Sequence, residues 1–72
     1  MKEYQGDAQT FDVMYDRRYV VPGGTVGLRI PKVTRIEDNG ENLIFFHVVG
    51  EKEMIAAIVD KQKVDSIMVF QS

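Results

Sequence analysis

His47 is the only histidine in this 72-residue chain, and the chain has no cysteine. Disulfides and thiolate metal sites are therefore excluded, and a single imidazole builds an ordinary zinc site only if acids or a symmetry mate join it. As a general base His47 would need an orienting carboxylate and a nucleophile within hydrogen-bond reach. The serines, Ser66 and Ser72, come late in the chain. His47 lies inside the apolar run LIFFHVV at 43–49, where a packed structural histidine is the simpler reading. Its functional alternative is a pH-sensitive interface position, because imidazole changes charge near neutrality. Glu51 and Glu53 share strand parity, but their place at a turn points them to solvent. No catalytic constellation results: no catalytic residue, metal or cofactor is expected, and the chain reads as a non-enzyme.

Two loops invite a ligand and fail on spacing. PGGTVG at 22–27 has the glycines of a phosphate loop but no Lys–Ser/Thr pair, and it runs into a strand rather than a helix. DNGEN at 38–42 offers oxygen ligands without the EF-hand spacing. Both read as turns, with Pro22 setting φ and Gly23–Gly24 and Asn39–Gly40 supplying positive φ.

Charge is distributed unevenly along the chain. Residues 1–16 are acidic, residues 17–36 carry Arg17, Arg18, Arg29, Lys32 and Arg35 with no acid, and residues 37–72 are acidic again, for a net charge of −2. Arg17, Arg18, Tyr19, Arg29, Lys32 and Arg35 are thus the candidate partner-binding residues, with Tyr15 and Tyr19 as aromatic faces. Cations that track phosphate beside aromatics that stack on bases are how small barrels hold single-stranded nucleic acid. A pI of 5.2 argues against that partner, and an acidic protein surface is expected ahead of nucleic acid. The plain alternative is pairing of these arginines with Asp12, Asp16, Asp60 or Asp65 on the folded surface.

The elements that would position these residues are short strands. FDVMY at 11–15 alternates apolar and polar residues. TVGLRIPK at 25–32 places Val26, Leu28 and Ile30 on one face, and Pro31 must end the strand, bulge it or lie at an edge. In KVTRIE the inward face is ambiguous, since Val33 and Ile36 have opposite parity. LIFFHVV returns from the Asn39–Gly40 turn. MIAAIV at 54–59 suits a strand, although the composition of 51–63 also permits a helix. A strand, one 3₁₀-type turn with Val64 plugging the core, then a last strand make up VDKQKVDSI. This pattern resembles the ending of SH3-like small barrels, a resemblance that implies a fold alone. The expected product is all-β: an antiparallel meander of five or six strands forming an SH3-like barrel or a small sandwich, with α+β and a helix at 51–63 as the alternative. Residues 1–10 show no period and are expected to form a mobile arm, leaving 11–72 as one small β domain.

LIFFHVV is apolar on both faces, and so are MIAAIV and IMVF at 67–70. A domain this small has one core, so the second face needs a cover. The first strand, a helix or another chain would serve. A two-fold homodimer is the simplest answer, with Ile44, Phe46, Val48, Met68 and Phe70 as interface candidates. The N-terminus lacks the apolar core of a signal peptide, and no apolar run is long enough to span a membrane. A cytoplasmic, self-associating regulator, inhibitor or adaptor is the expectation, with single-stranded nucleic-acid or RNA binding as the alternative.

Overall fold

The computed structural model describes residues 4–70, which form five antiparallel strands in one sheet. They are β1 (Tyr4–Tyr15), β2 (Gly27–Asp38), β3 (Asn42–Val49), β4 (Lys52–Asp60) and β5 (Val64–Val69), with 3₁₀ turns at Arg17–Tyr19 and Lys61–Lys63. The sheet order is β4-β3-β2-β1-β5, a four-strand meander whose last strand returns to pair with β1. The all-β expectation is met, with one sheet in place of a sandwich. Segment 51–63 holds a strand and a 3₁₀ turn rather than a helix. β4 pairs with β3 from Asn42↔Asp60 to Val49↔Lys52, and that ladder outweighs the helix-favouring Glu, Lys and Ala content.

β1 begins earlier than the alternation does. Residues 4–10, expected to belong to an arm, are strand: Tyr4 pairs with Ile36, Gln5 with Arg35 and Gln9 with Val33. Backbone pairing asks nothing of side-chain periodicity, so the polar stretch gave no sign of it. Residues 1–3 of the expected arm lie outside the described residues, as do 71–72.

The core is Phe11, Val13, Ile30, Val33, Ile36, Leu43, Phe45 and Val59, with Tyr15, Ala56, Ala57, Val64 and Ile67 packed against it. Val59 and Ala57 come from one edge strand, and Val64 and Ile67 from the other. The sheet must therefore roll until both edges reach the same core, although β4 and β5 do not pair. The roll is made in β2. Register shifts fall on either side of the Gln9↔Val33 pair, and Lys32 takes φ 57°. β2 is a central strand, so Pro31, which has no N–H to donate, is accommodated at this bulge. The bend also resolves the parity conflict: Val33 and Ile36 are both buried. Val26 and Leu28, expected to face inward, remain exposed, although Leu28 pairs with the buried Val13.

Turn chemistry fixes the remaining geometry. Only Gly40 of the Asn39–Gly40 pair has positive φ, at 91°. The loop is held by Asn39 Oδ1, which accepts from Glu41 N at 3.0 Å and Asn42 N at 2.7 Å. Both 3₁₀ turns are capped by aspartate: Asp16 accepts from Arg18 N at 2.9 Å and Asp60 from Gln62 N at 3.0 Å. Gly27 is required for a different reason, since a Cβ there would lie 2.6 Å from the Val13 carbonyl oxygen across the β1–β2 pair. Gly27→Ala is expected to lower stability by about 1–3 kcal/mol, the usual range for overpacking, as read by urea denaturation; an unchanged midpoint would mean the strands do not approach this closely.

Candidate functional site

The basic tract does not form one cluster. Arg29 and Arg35 both lie on β2, on either side of its bulge, while Arg17 and Arg18 lie in the first 3₁₀ turn. Three of the four arginines grip a carboxylate with both arms of the guanidinium. Arg29 donates to Asp12 through Nε (2.7 Å) and Nη2 (3.1 Å). Arg18 donates to Asp16 through Nε (3.1 Å) and Nη2 (2.8 Å). Arg35 donates to Glu53 through Nε (3.1 Å) and Nη2 (2.7 Å), with Glu37 at 3.7 Å. Such forks fix geometry as well as charge. Glu53, expected to point into solvent, is thus engaged. Asp60 caps its 3₁₀ turn. Arg17 and Lys32 are exposed, with no carboxylate partner among the described residues.

Two of these arginines also roof aromatic rings on the outer face of the sheet. The Arg35 guanidinium lies 3.8 Å from the centroid of the Phe46 ring, and that of Arg29 lies 3.8 Å from Phe70. Each is a cation–π stack whose charge is balanced by the carboxylate it holds, and each shields apolar ring surface from water. The second face of LIFFHVV is therefore covered in part by its own chain. Neither neighbour was legible as a cover from composition. The signal lay in the hairpin register, which sets Arg35 directly opposite Phe46.

The proposed interface candidates divide between two edges. Met68 and Phe70 belong to the β5 side, separated in the sheet from β3 by β2 and β1, so IMVF does not extend the patch of LIFFHVV and MIAAIV. On the β3–β4 side, Ile44 pairs with Ile58 and Phe46 with Ile55. Val48, Ile55 and Ile58 stay 50%, 54% and 59% exposed there, on one face of adjacent strands. Ile55 and Ile58 were not among the sequence candidates, because the bulge at Ala56 that aims them both outward is invisible in the pattern. His47 sits on β3 opposite Met54, and no group of three His, Cys, Asp or Glu side chains able to hold a metal occurs among the described residues. Ser72 lies outside them.

The two 3₁₀ turns are neighbours. Asp16 N donates to Lys63 O at 2.7 Å, and Tyr15 pairs with Val64. Between the turns lies a groove of about 350 Å³ whose lining includes Tyr15, Tyr19, Val21, Asp60, Lys63 and Ile58, the last also part of the β3–β4 outer patch. A second hollow shares Tyr15 and Val21 with it and reaches Arg17, Pro22 and Val26. The Arg18 guanidinium stands 5.9 Å from the Tyr19 ring at its rim.

The ion pairs hold carboxylates ionised. Hydrogen bonds from the Arg18 side chain, then from its backbone N–H, lower Asp16 to about 2, while Arg29 lowers Asp12, Lys61 lowers Asp38 and Arg35 lowers Glu53. A carboxylate depressed on folding contributes stability above its unfolded pKa and loses it as pH falls through the folded one. Thermal unfolding temperature should thus be flat above about pH 5 and fall progressively toward pH 2. Asp16→Asn should flatten the lowest part of that fall, and an identical profile in the variant would refute the assignment.

The arrangement defines a small rolled β-sheet domain with an apolar outer patch and an aromatic groove. No family model, curated protein or solved structure matches the chain. No helix among the described residues is long and apolar enough to cross a membrane.

Proposed function

We propose that the chain is a non-enzymatic macromolecule-binding module, a cytoplasmic regulator, inhibitor or adaptor. It self-associates through the outer face of β3 and β4 and meets a partner with the basic surface around Arg17, Arg18 and Tyr19. The order β4-β3-β2-β1-β5, with a 3₁₀ turn before the last strand, supports an SH3-like reading of the fold. Such folds host many functions, so the functional reading rests on surfaces.

One observation carries it: Val48, Ile55 and Ile58 remain about half exposed side by side on a face where Phe46 and Phe70 are roofed by arginine. Contiguous exposed apolar residues rimmed by charge mark contact surfaces. Two copies related by a two-fold axis would bury the patch against itself, as isologous dimers do. Arg18, Arg29 and Arg35 each hold a carboxylate, which leaves Arg17 and Lys32 of the basic tract to meet a partner. The self-association is tested by the mass in solution of the unaltered chain and of Ile55→Glu.

A further inference from the structure

We propose that the groove between the two 3₁₀ turns docks an extended acidic segment of a partner protein, one in which carboxylate side chains alternate with apolar ones. This inference rests on the binding-module reading and gives its partner surface a place and a chemistry. The groove mixes aromatic and aliphatic side chains, Tyr15, Tyr19, Val21, Ile58 and Val59, with the polar Thr25, Asp60 and Lys63. Lys63 lines the groove itself, and Arg17 lines the hollow that shares Tyr15 and Val21 with it. Neither cation has a carboxylate partner among the described residues, and together they outnumber Asp60, the one acid in the groove lining. Asp16 holds Arg18, and Asp60 accepts from Gln62 N. Lys63 in the groove and Arg17 in the adjoining hollow are two separate cations that a segment with acids spaced by an apolar residue would complement.

The groove ends on β4, an edge strand, whose free backbone groups suit an extended partner. A polynucleotide fits less well. It would need a continuous track of cations, but Arg18, Arg29, Arg35 and Lys61 are all held by carboxylates.

The test is an amide-resolved NMR titration of the full chain at low salt with three probes: a short peptide alternating Glu with Leu, its Lys–Leu counterpart, and oligothymidylate. The Glu–Leu peptide should give saturable shifts centred on Tyr15, Tyr19, Val21 and Lys63, weakening as salt rises. Combining Arg17→Glu with Lys63→Glu should weaken binding about tenfold, with the spectrum otherwise retaining its native dispersion. Met68→Glu, on the opposite edge strand and outside the groove lining, should bind as the unaltered chain does. Shifts confined to β3 and residues 52–57, tighter binding of oligothymidylate or of the Lys–Leu peptide, or undiminished binding by the double variant would each overturn the inference. The mass measurement reads self-association separately. A monomer that binds the peptide removes the dimer and keeps the groove; because Ile58 borders both surfaces, a dimer that ignores the peptide overturns the groove only when the Ile55→Glu monomer ignores it too.

Discussion

Phe45→Ala will leave much of the chain unfolded at 25 °C, whereas Phe46→Ala, one residue away, will leave it folded. Phe45 is 0% exposed and meets the Phe11 ring at a centroid distance of 6.4 Å. Truncating a buried phenylalanine costs about 3–5 kcal/mol. At roughly 0.05–0.15 kcal/mol per residue, that is comparable with the whole stability of so short a chain. Phe46 points to the other face, half-buried under Arg35, so its loss removes a stack without opening a core cavity. Urea denaturation followed by far-UV circular dichroism separates the two cases. Equal midpoints for both variants would mean that the sheet does not divide inside from outside between these positions.

Ile55→Glu will convert the self-associated form to monomer, with the dissociation constant rising about a hundredfold. Ile55 sits directly opposite Phe46 on the outer face, 54% exposed in the single chain. A carboxylate there is solvated in the monomer, so folding stability should change by no more than about 0.5 kcal/mol. In the dimer the same carboxylate would be desolvated against an apolar surface and beside Glu53, without a free cation to meet it. Arg35, the nearest base, already holds Glu53. Met68→Glu is the control: it lies at the opposite edge of the sheet and should leave the mass unchanged. If both substitutions dissociate the assembly equally, the contact is not on the β3–β4 face.

Much of the fold could be read from local pattern. The alternation in FDVMY, the apolar LIFFHVV and the Asp–Lys–Gln–Lys–Val turn each specify their own conformation, and Val64 does pack against the core. What escaped reading depends on partners far along the chain. The Asn39–Gly40 pair suggests a tight two-residue loop, which would set Arg35 opposite Ile44. The loop is longer, held by Asn39 Oδ1, and its register sets Arg35 opposite Phe46. Two residues of register thus decide that an arginine covers an aromatic ring. Asp12 and Asp16 were legible as arginine partners, because paired carboxylates near a basic tract are the usual fate of surface charge. Glu53 was not, since its role depends on β4 lying beside β3 with a bulge at Ala56.

The most direct test of the central claim is the absolute mass of the unaltered chain by light scattering behind a sizing column, at two concentrations and at low and high salt. Self-association through the apolar β3–β4 face predicts twice the 8.2 kDa chain mass at the higher concentration, undiminished by salt because the contact is hydrophobic. A mass of one chain under every condition would contradict it, and the exposed Val48, Ile55 and Ile58 would then belong to a surface that meets no second copy.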